Sequence, residues 1–264
     1  MLIVGEKINT SRQGIEKAVL SRNAVHIQDL TLRQKLSGAH IMDLNCTTLR
    51  QREPESLAWL VETVQNIAGD PVCLASPNPV AIEAALKVHQ GRAWLNAISA
   101  EQNRYRIFIP LVKQYNCRVI ALCLDDRGVA ETIEEQVDVS LRLVDKLVKD
   151  GVAIEDIYLD PMLRAIAHGE HWAVFALEVI KRLRQELPQV HIICGLSNVS
   201  FGLPVRSLLN RTFLTLAIGA GLDSAILDPE NKTIMSSLRA VQVLMQKDAG
   251  FREYLMSFHE GLLT

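Results

Sequence analysis

Eight short runs of β-type residues punctuate this chain, with helical patterns lying between them. The runs are Leu2–Gly5, Ala39–Leu44, Pro71–Leu74, Ala93–Asn96, Arg118–Leu124, Asp156–Leu159, His191–Gly195 and Ser224–Leu227. They are rich in Val, Ile and Leu, and apolar along most of their length with weak alternation. Strands covered on both faces carry that pattern, as in a parallel sheet, whereas half-solvated strands alternate.

The intervening segments read as helices. Leu57, Leu60, Val61, Val64 and Ala68 recur at three- and four-residue spacing, and Gly69 follows as a stop. Asn78-Pro79 has the form of an N-cap followed by proline at the first helical position. Thr132 and Glu135 have capping-box spacing, ahead of a stripe of Val137, Leu141, Val144 and Val148 closed by Asp150-Gly151. Trp172–Leu187, Ser207–Gly219 and a tail from Lys232 onward supply further helices. Shared among eight units, 264 residues give about 33 each, which suits a (β/α)8 TIM barrel of about 250 residues. No Pro/Gly/Ser-rich linker or low-complexity segment divides the chain, so the expectation is one α/β barrel domain over residues 1–264. A doubly wound open sheet is the structural alternative, but neither G-x-G-x-x-G nor G-x-x-x-x-G-K-[ST] is present.

Composition narrows the function classes. A formal charge of −2 and 5% aromatic residues argue against nucleic-acid binding, which uses basic faces or stacking platforms. No apolar run approaches the roughly 18 residues of a membrane span, and no secretory signal is expected from the first residues. Five cysteines, Cys46, Cys73, Cys117, Cys123 and Cys194, form no CxxC pair. An odd set in apolar runs points to buried reduced thiols and a cytoplasmic protein.

In a barrel the chemistry sits just past the C-terminal strand ends. Those positions hold Glu6 and Asn9, Asp43 and Asn45, Ser76 and Asn78, Asn96, Asp125, Asp160, Asn198 and Asp228. The set has no histidine, cysteine nucleophile or Schiff-base lysine, and it lacks the convergent soft ligands of a metal site. It suits a neutral heterocycle with several donors and acceptors, since a carboxylate takes two parallel N–H donors and an asparagine amide both donates and accepts. Ordinary structural roles stand beside these readings: Asn78 as a helix cap, Asn198 as a turn former, Asp160-Pro161 as a loop cap, and Asp43 and Asn45 as bonds to neighbouring loops. His168-Gly169-Glu170-His171 has two histidines, but glycine interrupts it and no third ligand is evident, so no metal site is expected.

Read in order, Met1–Asn9 (MLIVGEKIN), Asp43-Leu44-Asn45, Ser76-Pro77-Asn78, Asn96, Leu159-Asp160-Pro161, Gly195–Ser200 (GLSNVS), Asn210–Leu214 (NRTFL) and Gly221-Leu222-Asp223 resemble the methyltetrahydrofolate:corrinoid-protein methyltransferases. These are pterin-binding barrels related to dihydropteroate synthase and to the folate module of methionine synthase. The likeness spans nearly the whole chain. It implies that a methyl group moves between N5 of tetrahydrofolate (the substrate being tetrahydrofolate or 5-methyltetrahydrofolate) and the cobalt of a cobalamin carried by a separate corrinoid protein. It also implies that Asn96, Asp160 and Ser76 hold the pterin and that Asn198 reaches N5 near the reacting methyl as the catalytic amide. Glu6, Asp43, Asn45 and Asn78 form a second tier. Forward transfer feeds acetyl synthesis, and the reverse serves O-demethylase or methylamine systems. Family members are usually homodimers. The chain itself has no D-x-H-x-x-G histidine loop, so the corrinoid is expected on a partner.

One departure stands out. The family usually carries Asp immediately before the Ser/Thr after strand three, and this chain has Ala75 there. Losing one charge-assisted hydrogen bond costs about 1.5–3 kcal/mol, or one to two decades of affinity. Two other readings follow: a non-catalytic pterin-binding or scaffold subunit, motivated by Ala75, and dihydropteroate synthase, against which strands seven and eight end in Ser197-Asn198-Val199-Ser200 and Asp228-Pro229-Glu230 without the cations that expelling pyrophosphate requires.

Overall fold

The computed structural model describes residues 1–264. Its strands close into a barrel in sequence order, every neighbouring pair parallel: β1 (Leu2–Asn9), β2 (Ile41–Asn45), β3 (Cys73–Ala75), β4 (Trp94–Ser99), β5 (Arg118–Leu122), β6 (Ile157–Asp160), β7 (His191–Gly195) and β8 (Ser224–Leu227), which returns to β1. The helices are α1 (Ile15–Leu20), α2 (Ala24–Leu36), α3 (Glu53–Ala68), α4 (Pro79–Val88), α5 (Gln102–Gln114), α6 (Ile133–Lys149), α7 (Trp172–Glu186), α8 (Arg206–Ala220), α9 (Lys232–Leu244) and α10 (Arg252–His259). This is the expected (β/α)8 barrel.

Local chemistry sets several helix boundaries. Asn78 caps α4 by accepting from the Val80 amide, and Thr132 caps α6 by accepting from the Glu135 amide. Gly69 ends α3 in the left-handed region, at φ 69°, where a side chain would be strained. Sequence reading placed β7 and β8 at their observed bounds but ended β1 at Gly5 and β4 at Asn96. Both strands continue, to Asn9 and Ser99, with a register shift between Gly5 and Ile8 and another between Asn96 and Ile98. The tail divides into two helices, α9 and α10.

Two concentric cores hold the barrel. The larger lies between strands and helices and includes Leu44, Leu57, Leu74, Leu95, Leu143 and Leu214. The smaller fills the barrel interior with Val4, Ile41, Cys73, Trp94, Ile120, Tyr158 and Ile193, with Ile226 packed against them. Every one of the eight strands thus contributes to the apolar packing inside the barrel, so the barrel is a packed core rather than a pore.

Candidate functional site

Side chains alternate across a strand, so the next inward position lies two residues on. From the apolar layer toward the C-terminal ends that step gives Glu6, Asp43, Ala75, Asn96, Leu122, Asp160, Gly195 and, just past β8, Asp228. Five of these eight positions are polar, directly above the apolar packing. Asn96 and Asp43 belong to this layer inside their strands rather than past the strand ends. Ala75 is the short member between two polar neighbours, paired with Asn45 on β2 and Asn96 on β4.

Asp43 is buried, and its Oδ1 accepts from Asn96 Nδ2 at 3.0 Å. Burial pushes its carboxyl up to about 6; hydrogen bonds from Asn96 and the Cys73 thiol oppose that shift, and the charge of Glu6 adds to it. Asp160 is also buried, and burial pushes it to about 6 against a single opposing hydrogen bond, from the Met162 amide at 2.8 Å. These two carboxylates are desolvated with few protein donors. A ligand presenting N–H groups to Asp160 would restore what burial removed. Because Nδ2 of Asn96 is committed to Asp43, its Oδ1 is the atom left to accept.

Glu6 anchors the other side. Its Oε1 pairs with Arg12 Nη2 at 2.6 Å, and its carboxylate accepts from Ser197 Oγ at 3.1 and 3.3 Å. Burial raises its pKa, with Arg12 and Ser197 opposing. Asn198, the expected catalytic amide, is exposed in a single 3-10 turn, Leu196–Asn198, that follows β7. A cavity of about 450 Å³ opens between this turn, β1 and α8, lined by Glu6, Asn9, Ser11, Arg12, Ser197, Arg206, Ser207, Asn210, Asp228 and Asn231. Asn210 is 7% exposed there, with Oδ1 unpartnered.

Other sequence-named residues are engaged elsewhere. Ser76 Oγ donates to Glu53 Oε1 at 2.6 Å and accepts from the Asn78 amide, while Asn78 Nδ2 reaches Glu53 Oε2 at 3.3 Å. Asn45 Oδ1 accepts from the Thr47 amide and hydroxyl. Asp125 pairs with Arg127 and Arg142, and Asp228 faces Lys7 at 3.5 Å. His171 lies against the Trp172 ring, and no three His, Cys, Asp or Glu side chains gather as a metal site. Sequence reasoning passed over Arg12, Ser197, Arg206 and Glu53. Two of these are cations that reach the mouth although neither stands at a strand end: Arg12 follows Glu6 by six residues and Arg206 opens α8. Their one sequence signal was closeness to quoted motifs.

Residues 9–228 match the pterin-binding enzyme family. The chain belongs to that family. Among its relatives it is 31% identical over 263 residues to the methylcorrinoid:tetrahydrofolate methyltransferase of Eubacterium limosum, covering 99% of this chain and 97% of that one. It is 28% identical over 239 residues to methionine synthase of Mycobacterium tuberculosis, covering 86% of this chain and 20% of that much longer protein. Within the pterin-binding family, the end-to-end relationship makes the chain a methyltransferase. Dihydropteroate synthases share the fold: the Xanthomonas albilineans structure superposes with a TM-score of 0.68 at 15% identity, covering 94% and 93% of the two chains. The Yersinia pestis structure gives 0.70 at 11%, covering 94% of each. At those identities the likeness concerns the barrel alone.

Proposed function

We propose that this chain transfers a methyl group between tetrahydrofolate and a corrinoid bound to a separate protein, in the direction from methylcorrinoid to tetrahydrofolate. The observation that carries the reading is the pair of buried, under-satisfied carboxylates in one inward layer, on a chain alike from end to end to a methylcorrinoid:tetrahydrofolate methyltransferase. The name of that relative supports the direction.

Asp160 takes the amino and ring N–H donors of the pterin, and the Asn96 carbonyl accepts from the same edge. Asp43 orients Asn96 through its amide. Asn198 faces N5. In this direction the N5 lone pair takes the methyl group, the Co–C electron pair stays on cobalt, and the N5 proton leaves to solvent; the Asn198 carbonyl stabilises the positive charge that develops on N5, so no strong acid is required there. The corrinoid supplies the methyl group, and this chain supplies binding and orientation. The cavity between Ser197, β1 and α8 has room for the part of the substrate beyond the ring. Ala75 leaves one pterin contact unmade and lowers affinity without changing the chemistry.

The whole chain, residues 1–264, works as one pterin-binding domain. No helix is long and apolar enough to cross a membrane, and the five cysteines are free and buried, which supports a cytoplasmic protein. Exposed Leu244, Phe251 and Phe258 near the C-terminus support pairing with a second copy.

The test is cobalt absorbance during incubation of a methylated corrinoid protein with tetrahydrofolate and this chain. Loss of the methyl-cobalt band that saturates with tetrahydrofolate supports the reading. No spectral change at any tetrahydrofolate concentration contradicts it and favours a non-catalytic subunit.

A further inference from the structure

The turn bearing Asn198 is held from both sides by charged groups, one distant in sequence and one a few residues on. On one side Ser197 Oγ donates to Glu6, which lies on β1 at a separation of 191 residues and is itself held by Arg12. On the other, Arg206 Nη2 donates to the Ser197 carbonyl at 2.6 Å, while its Nε donates to the fully buried Ser200 hydroxyl at 3.1 Å. Both the side chain and the carbonyl of the residue before Asn198 are therefore fixed. Beneath them, a Cβ on Gly195 would stand 3.1 Å from Asn198 Nδ2, so the bare strand end leaves the amide room to lie across it. Glu6 offers few other reasons for its placement. It is a mostly buried carboxylate in the mouth layer, and its hydrogen-bond partners are Arg12 and Ser197.

We propose that Glu6 is a positioning residue for methyl transfer, setting the direction of the Asn198 amide through the Ser197 hydroxyl, with Arg206 closing the clamp from α8. The proposal rests on the reading of Asn198 as the group that faces N5. Preorganised positioning of this kind shows in the rate of the chemical step more than in binding, because the clamp touches the turn rather than the pterin.

The experiment compares the full chain with Ser197→Ala, Glu6→Gln, Ser197→Thr, Asn198→Ala and the Ser197→Ala/Asn198→Ala double variant. Single-turnover transfer is read by cobalt absorbance, tetrahydrofolate affinity by calorimetry, and folding by the thermal midpoint. Ser197→Ala and Glu6→Gln are expected to slow transfer about tenfold while affinity changes by less than about twofold. Ser197→Thr, which keeps the hydroxyl, transfers close to the parent rate. In the double variant the Ser197 change adds nothing to the loss already caused by Asn198→Ala. Equal slowing by Ser197→Ala in both backgrounds would show that the hydroxyl does not act through Asn198 and would overturn the proposal. So would a parallel fall in affinity, which would make Glu6 a ligand contact, or slow transfer by Ser197→Thr. If Glu6→Gln does not fold, the Ser197 variants decide. A parent-like rate for Asn198→Ala would instead sink the reading of Asn198 itself, and the proposal with it.

Discussion

The two ends of this barrel treat their aspartates, buried at the mouth and partly buried at Asp223, in opposite ways. At the mouth, Asp43 has only Asn96 and the Cys73 thiol as donors, Asp160 has only the Met162 amide, and both are pushed up to about 6 by burial. At the floor, Asp223 is surrounded. Arg184 donates at 2.9 Å, the His191 ring lies at 3.0 Å, and the Ile192 amide and Ser224 hydroxyl each donate at 3.0 Å. Burial again works against its ionisation, yet His191, the Ile192 amide and the Arg184 charge outweigh burial and hold its carboxyl below the usual range. Its neighbour Asp156 is bracketed by Arg92 and by Arg118, whose guanidinium also covers the Trp94 ring. A satisfied buried carboxylate contributes stability. An unsatisfied one costs stability and is retained where a ligand completes it.

Removing one aspartate at each end breaks this comparison if it is wrong. The largest effect is expected at the mouth: Asp160→Ala weakens tetrahydrofolate binding about 100-fold, or about 3 kcal/mol, measured by calorimetry. At the floor, Asp223→Asn lowers stability by about 1–2 kcal/mol in denaturant unfolding at pH 7 and leaves tetrahydrofolate affinity unchanged. The pH signs differ as well. Asp223 has a folded pKa below its unfolded value of about 3.9, so its stabilisation is complete above that value and is lost as pH falls through the folded one.

A smaller effect concerns the short member of the mouth layer. Ala75→Asp strengthens tetrahydrofolate binding about tenfold, at the lower end of the range for one charge-assisted hydrogen bond because a further carboxylate crowds Asp43. The smallest is a gain in stability. Ionised Asp43 costs the fold free energy as pH rises from about 4 to about 6, since its folded pKa is the higher one. Asp43→Asn therefore raises the free energy of unfolding at pH 7 by about 1 kcal/mol and brings no gain at about pH 4. An equal gain at both pH values would mean that Asp43 is not ionised in the folded chain at neutral pH.

The barrel was legible because both faces of its strands are apolar, which removes alternation and leaves contiguous runs. The ends of β1 and β4 were misplaced for a physical reason that bears on function. Glu6, Lys7 and Asn96 look like exits from a strand, yet main-chain pairing continues while the inward layer turns polar. The helix α5 was not legible, since polar residues and Pro110 interrupt its stripe. In the mouth, Asp43, Asn96 and Asp160 were readable as residue types at strand ends. Their shared layer, and the hydrogen bond from Asn96 to Asp43, depend on register across the barrel. The Glu6–Ser197–Arg206 clamp was hidden for the same reason: its first two members meet only because β1 and β7 flank β8 in a closed sheet.

The most direct test of the account is a tetrahydrofolate titration of the full chain at pH 7 beside Asp160→Asn and Asp223→Asn. The account predicts saturable binding by the parent chain and by Asp223→Asn with matching affinity, and a loss of about two decades in Asp160→Asn despite an equal or higher unfolding midpoint. Equal affinity in all three chains, or no saturable binding by the parent chain, would contradict it.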